Sequence, residues 1–323
     1  MRELIKSMTM KQLKLKSEAF QYVEISFREW LDILGYAPST VYQMPNYVRE
    51  LFHWLETEKQ LTQVNQITTP LIKEHYNNLK TRSNQRQGGA LSNNYLNKHL
   101  QAFYKLMDYL RQTGRLTLPY LTIEREESNP KPIQVLTVKE IKALYQATEN
   151  HLETQKKEAI ASRDKAILTI YYGCGLRRNE GYHLDLLDIN FDRKILHVRR
   201  GKNYKERFVP FNKTNSKILQ QYIYDHRPYL LKSKQTAALF IGYQGNRLGA
   251  ESMVRRLKIL QQKTDEIELQ QKDIALHALR HSIATHLLQA GMSLEKIARF
   301  LGHSSLESTQ IYTHLIKQKD EQL

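Results

Sequence analysis

The chain has 323 residues, 41% of them hydrophobic and 25% charged, which suffices for two domains with sizeable cores and argues against a disordered chain. Lys and Arg number 49 against 33 Asp and Glu, a formal net charge of +16 that favours a polyanionic partner such as DNA or RNA. One cysteine, Cys174, excludes a disulfide framework. No apolar run of about 18 residues marks a membrane span, and the Lys- and Arg-bearing start lacks a signal-type apolar core, so a cytoplasmic protein is expected.

Along the chain, Phe20, Val23, Phe27, Trp30 and Leu31 recur at helical spacing. A second helix follows Pro38-Ser39-Thr40 and carries Tyr42, Tyr47, Val48, Leu51, Phe52 and Leu55, with Ser39 or Thr40 as its cap. Thr69-Pro70 opens a third through Ile72, Tyr76 and Leu79. Arg82 to Ala90 is polar, holds Gly88-Gly89 and reads as a loop. Leu91 to Gly114 predicts a long fourth helix, with Gly114 where a C-cap belongs. Four helices with short joins predict a small bundle over 17–122. In 123–136 apolar periodicity stops and Pro130 and Pro132 flank a lysine, the signature of a linker.

Thr137 and Glu140 form a capping-box pattern that opens a second domain, 137–323. Helices are predicted near 138–148 and 157–173. From Ile195 the period changes to alternation, and with Phe208 to Pro210 it predicts a hairpin around a polar turn at Gly201 to Tyr204. Helices follow at 213–228 and 250–262, with a short apolar strand at Ala238 to Ile241. Gln261 to Lys272, rich in Gln, Lys and acids, reads as an exposed extension or loop. Helices near 278–290 and 294–301 and a last one from Ser305 to Ile316 complete a two-domain, mainly α fold with one small antiparallel sheet.

The chemistry-bearing residues concentrate late in the chain. His277 and Arg280, three apart, share one side of a helix. Gly302 predicts a helix stop, so His303 sits at a turn and Tyr312 about two turns into the next helix. A tyrosine near strong cations is a candidate nucleophile for phosphoryl transfer. Ionising a phenol of pKa ~10 fully at pH 7 costs about 4 kcal/mol, and nearby Arg and Lys charges reduce that cost. Earlier, Gly173 and Gly175 end an apolar helix and project Arg177 from a tight turn. Glu180 could fix it through a charge-assisted bond, although Arg178 competes and spacing does not choose between them.

Lys202 lies in the hairpin turn between Arg199 and Arg207, within reach of a groove or an active site. Arg199, Arg200, Lys205 and Arg207, with Lys98 and Lys105 on the long helix, are candidate DNA-phosphate contacts; the bland alternative for each is a solvated face. Lys6, Lys11, Lys14 and Lys16 are candidates for an arm that orders on DNA. His281, His286 and His314 read as structural neighbours of the motifs. No cysteine accompanies them and His277/His281 lacks the glutamate of a zinc motif, so no metal site is predicted. Cys174 reads as a packed small residue.

In order, Gly175-Leu176-Arg177 with Glu180, Gly201-Lys202 with Lys205-Glu206-Arg207, His277-Ala278-Leu279-Arg280, Leu301-Gly302-His303 and Gln310-Ile311-Tyr312 resemble the motifs of the tyrosine recombinase (integrase) family, with bacterial Xer-like and transposon or phage integrases most alike. The resemblance covers 137–314; region 17–122 is similar to the family's core-binding domain in size, helix content and position. It implies a SAM-like four-helix core-binding domain followed by a mixed α+β catalytic domain. It also implies site-specific DNA recombination through a 3′-phosphotyrosyl intermediate. By the resemblance, Arg177 and Arg280 clamp the scissile phosphate and His277 assists proton transfer. Lys202 is the general acid for the leaving 5′ oxygen, His303 donates to a phosphate oxygen, and Tyr312 attacks.

The implied partner is double-stranded DNA with an inverted-repeat core site. The implied assembly is a homotetramer on paired sites, monomeric or weakly oligomeric when free. Neither metal nor other cofactor is implied. A type IB topoisomerase-like relaxase and a catalytically silent DNA-binding regulator of the same fold remain alternatives. One departure is Gly181, where the family continues an apolar helix; it is expected to loosen the support of Arg177 by up to ~1 kcal/mol.

Overall fold

The structure, a computed structural model, describes residues 13–84, 88–127, 132–149, 154–199, 206–303, 308–310, 312 and 313. The chain divides into two compact units, Met1–Pro130 and Lys131–Leu323. Among the described residues no helix is long and apolar enough to cross a membrane.

The first unit is built from α1 (Glu18–Ile33), α2 (Pro38–Glu58), α3 (Thr69–Thr81) and α4 (Asn93–Gln112). Ser17 and Ser92 cap α1 and α4, each hydroxyl accepting from the backbone N–H three residues on. Helix α2 differs from expectation. Pro38 is its first residue and Ala37 its cap, so Ser39 and Thr40 lie inside the helix and no side chain caps it. Proline supplies the helical φ and has no N–H to satisfy there. The core is aromatic and aliphatic: Phe20, Phe27, Leu51, Phe52, Phe103 and Leu106 are wholly buried, and the Phe20 and Phe52 rings stack at 4.6 Å. His75 and His99 are buried in it too, and neither ring has a hydrogen-bond partner among the described residues. Burial pushes both imidazoles down to about 3, so both are neutral near pH 7. The Glu56 carboxylate accepts from the backbone N–H groups of Lys16 and Ser17. The lysine arm is therefore fastened to α2 by residue 16, and Lys6 and Lys11 lie outside the described residues.

The second unit holds α5 (Val138–Gln146) and α6 (Gln155–Leu168), the latter running on as a π-helical turn, Thr169–Gly173, and then α7 (Arg178–Tyr182). Strands β1 (Ile189–Asn190), β2 (Ile195–Val198) and β3 (Arg207–Pro210) form one antiparallel sheet in that order. Leu196 pairs with Ile189 on one side and Val209 on the other. Helix α8 (Lys213–Gln220) passes through a π-helical stretch, Gln221–His226, into α9 (Arg227–Leu231). Then come α10 (Ala250–Gln262), α11 (Ile267–Gln271), α12 (Leu276–Gln289) and α13 (Leu294–Leu301). The Thr137–Glu140 capping box forms as its spacing predicts. A mainly helical chain with one small antiparallel sheet is the fold class expected.

Three details differ from the sequence expectation. Ala238 to Ile241 is no strand; it makes isolated bridges, Asp185 with Ala238 and Ile241 with Arg247, and buried arginines satisfy its carbonyls, Arg163 at Ile241 and Arg227 at Ala238. Gln261 to Lys272 is exposed at Lys263, Asp265 and Ile267 as expected, but it is no loop. The Gln261 amide is buried and donates to the Leu269 and Lys272 carbonyls, each at 2.6 Å, wrapping α11 around buried Leu269. Its polar composition concealed a buried amide that bonds through its nitrogen, while its Oε1 has no hydrogen-bond partner among the described residues. Finally, Gly181 supports the Arg177 turn instead of loosening it. A Cβ there would stand 2.6 Å from the Tyr171 ring, and the buried Tyr171 hydroxyl donates to the Arg178 carbonyl at 2.9 Å.

Candidate active site

Three chain segments converge at the C-terminal end of α13. The first is the turn after the π-helical end of α6, where Gly175 takes φ +62; a Cβ there would collide with Leu301. Arg177 then caps α7. Glu180, at the third position of that helix, accepts from the Arg177 backbone N–H and from its Nη1, both at 2.8 Å. This geometry chooses between the adjacent arginines: Arg178 points away and pairs with the exposed Glu251. The second segment is α12, which buries Arg280; its Nη1 donates to the Gly175 carbonyl and its Nη2 to the Leu301 carbonyl, each at 2.7 Å. The third is β3, whose Arg207 grips Glu180 with two bonds of 3.0 and 2.8 Å.

The last carbonyls of a helix lack intrahelical donors and carry the negative end of its dipole. Here three consecutive ones each accept from a different arginine: Phe300 from Arg207 Nε at 3.3 Å, Leu301 from Arg280, and Gly302 from Arg177 Nη2 at 3.2 Å. Gly302 closes α13 in the left-handed conformation, φ +67. A Cβ there would meet the Arg207 Cδ at 2.7 Å, so the arginine lies directly against this turn.

Glu180, with 2% of its side chain exposed, is the carboxylate at the hub. Burial works to raise its pKa, but bonds and charge from Arg207 and then Arg177 hold it down at about 2. Arg280 Nη1 stands 3.8 Å from the same carboxylate. Burial and the neighbouring Arg177 charge push Arg280 down to about 9, which leaves it charged at neutral pH. Three guanidiniums around one carboxylate leave a cationic excess suited to an anion.

Tyr312 is 1% exposed and packs with Ala284, Ile297 and Leu301. Its Oη lies 3.1 Å from His281 Nδ1, and the His303 ring lies nearly parallel to it, 6.3 Å away. His303 Nδ1 is in turn 2.8 Å from the hydroxyl of buried Thr309. Burial raises the Tyr312 pKa while Arg280 and Arg177 pull it down, and burial outweighs them. The cations therefore act in the expected direction without ionising the resting phenol. Burial, with His277 and Arg280 beside it, lowers His281 to about 4; burial, with Arg280 and Arg177, lowers His303 to about 4. His277 is exposed, and desolvation and then Arg280 and Arg178 lower its pKa as well. The imidazoles of His281 and His303 are thus neutral near pH 7. An unprotonated His281 Nδ1 can accept the Tyr312 proton in a hydrogen bond.

The structure brings Arg177, Glu180, Arg280, His303 and Tyr312 together, with His277 beside them. Lys202, Arg200 and Lys205 lie outside the described residues. Arg207, expected as a phosphate contact, is instead turned inward onto Glu180 with 11% of its side chain exposed. Arg199 bridges Asp185 and Asp188, so two carboxylates already take up its charge. Lys98 is exposed on α4, and Lys105, on the same helix, pairs with Asp108 at 3.3 Å. His281, Thr309 and the inward role of Arg207 escaped the sequence. For His281 a signal existed, its i,i+4 spacing from His277. The Arg207–Phe300 contact spans 93 residues and left none. Cys174 is buried and inert, its thiol pushed up to about 12 by burial. Among the described residues no group of three or more His, Cys, Asp or Glu is placed to hold a metal ion.

A covered phenol among imidazoles, next to arginines in excess of their one carboxylate, defines a class in which a tyrosine sits beside a cationic cluster. The chain belongs to the phage integrase family, whose model matches residues 134–319. Tyrosine recombinase XerD of Pseudomonas putida is 33% identical over 224 residues, covering 69% of this chain and 71% of that protein. Tyrosine recombinase XerC of Corynebacterium glutamicum is 40% identical over 167 residues, 52% of this chain and 51% of that protein. The fold is shared with the XerH site-specific recombinase bound to difH substrate in a pre-cleavage complex, at 17% identity and a TM-score of 0.69, covering 95% of this chain and 97% of that one.

Proposed function

We propose that the protein is a site-specific DNA recombinase that cleaves and rejoins strands through a 3′-phosphotyrosyl intermediate. The observation that carries this reading is the convergence of Arg177, Arg280, His303 and Tyr312, from separate segments, on one end of α13. The guanidiniums of Arg177 and Arg280 bind the non-bridging oxygens of the scissile phosphate and stabilise the charge that grows there in the transition state. Tyr312 Oη passes its proton to an imidazole, His281 Nδ1 at 3.1 Å, and attacks phosphorus, and the P–O5′ bond breaks. His277 assists proton transfer and positions the phosphate, and His303 donates to a phosphate oxygen. Lys202, assigned by its place in the sequence, gives a proton to the departing 5′ oxygen. The 5′ hydroxyl of a partner strand then attacks the phosphotyrosine and releases the phenol. One phosphodiester replaces another, so the linkage is conserved without an external energy source.

Because Tyr312 is covered at rest, cleavage begins with its uncovering. The active assembly in this reading is a homotetramer on two paired inverted-repeat sites, formed from free monomers or weak oligomers in the cytoplasm. Kinship to proteins named tyrosine recombinases supports strand exchange over a monomeric topoisomerase-like relaxase. The intact set of arginines and tyrosine supports an enzyme over a silent regulator.

The test is to incubate the protein with fragmented chromosomal DNA, denature it, and sequence the DNA that stays attached. A discrete site is expected, and Tyr312→Phe should recover none. Attachment by Tyr312→Phe would remove the nucleophile from this scheme. Attachment spread evenly over unrelated sequences, with relaxation of supercoiled plasmid, would favour the relaxase.

A further inference from the structure

We propose that Arg207 is a positioning residue for the phosphate-binding arginines: it holds the Glu180 carboxylate and the Gly302 turn so that Arg177 and Arg280 stay aimed at DNA. The inference rests on the recombinase reading above. Three observations carry it. Arg207 is the bidentate partner of Glu180, whereas Arg177 reaches that carboxylate through one guanidinium nitrogen and Arg280 stands 3.8 Å off. Its Nε reaches the Phe300 carbonyl, and its Cδ to Cζ span fills the space that the missing Cβ of Gly302 leaves. It is half-buried and turned inward, its guanidinium engaged by Glu180 and not offered to a phosphate chain.

The electrostatic consequence follows from counting. Without Arg207, the buried Glu180 would face only Arg177 and Arg280, and a carboxylate that has lost its strongest partner is drawn to the nearest cation. Arg177 is already bonded to it at 2.8 Å, so Arg280, at 3.8 Å, is the nearest cation still to be captured. The excess over the carboxylate would drop by one unit charge, and the guanidiniums would turn from the substrate toward the protein. The Gly302 turn, which precedes His303, would lose one of its three arginine anchors at the same time. Geometry and charge at the phosphate would therefore degrade together, although Arg207 never touches DNA.

The experiment uses a nicked synthetic duplex carrying a site recovered by covalent trapping. It is prepared with either an ordinary scissile phosphate or a methylphosphonate, in which a methyl group replaces one charged oxygen. An uncharged phosphorus centre needs less cationic help, so defects in the clamp shrink on it. Arg207→Ala should leave the Kd for the duplex within a few-fold of wild type and slow cleavage of bound phosphate DNA by ~10²-fold or more. On the methylphosphonate the deficit should shrink to under ~10-fold, in parallel with Arg177→Ala. Arg207→Lys, which keeps a charge but not the fork, should fall between, and it carries the test if the alanine variant melts early.

Equal deficits on both substrates would mean that Arg207 is merely structural, and a weakened Kd with unchanged cleavage of bound DNA would make it a direct DNA contact. Either result overturns the proposal. Tyr312→Phe runs alongside; cleavage of either duplex by that variant would sink the underlying reading instead, so the two failures are told apart.

Discussion

Glu180 sets how much positive charge the site presents, and its ionisation ties the site to folding. Its carboxyl sits at about 2 against an ordinary 4.5. A depressed pKa stabilises the folded state fully above the unfolded value, and that contribution is lost as pH falls through the folded one. The window is therefore pH 4.5 down to 2, and its size is of the order of 3 kcal/mol for a side chain this buried. Urea unfolding followed by circular dichroism should show the second unit losing stability across that window, with a shallower loss in Glu180→Gln. An unchanged slope in the variant would mean that the carboxylate is not so held. At the same scale, His281 and His303 should titrate near 4 in the free protein, and NMR of the ring nitrogens reads this directly. A titration near 6.5 for either would show that the pocket is wetter than its packing.

Among the elements, α12 does the most. It carries His277, Arg280 and His281 on the site side, and its Ser282 hydroxyl accepts from the Leu136 backbone N–H at 2.8 Å while donating to the Ala278 carbonyl. Ser282 thus fastens the segment entering α5 to the helix that holds the site. Ser282→Ala leaves a buried N–H without its acceptor, at a cost of about 1–3 kcal/mol. Denaturant titration of the variant should show that loss, and a change below ~0.5 kcal/mol would mean that the segment finds another partner. Periodicity made most helices legible, because each buries one stripe. It missed β1, since two residues show no period, and it misjudged Gln261 to Lys272, where the buried Gln261 amide nitrogen ties down a short helix. It also misjudged Gly181, because the Tyr171 ring that needs the space is ten positions earlier and only packing brings it there. Within the site, Arg177, Arg280, His303 and Tyr312 stood out as motifs. The supports behind them, Arg207 above all, did not, because salt bridges between distant segments leave no local pattern.

For the whole molecule, the +16 charge argues for a strong electrostatic share in DNA binding. If roughly six to ten phosphates are neutralised, affinity for any duplex should fall by about 10³–10⁵ between 50 and 200 mM salt. Fluorescence anisotropy across that range checks it, and a flat response would separate the charge from DNA binding. The account as a whole depends on one bond, between Tyr312 and a 3′ phosphate. Its most direct test is to trap the protein on a nicked duplex, digest with trypsin and nuclease, and locate the residual nucleotide by mass spectrometry. The account predicts a 3′-linked nucleotide on the peptide that contains Tyr312. A nucleotide on any other residue, or one joined through its 5′ end, would contradict it.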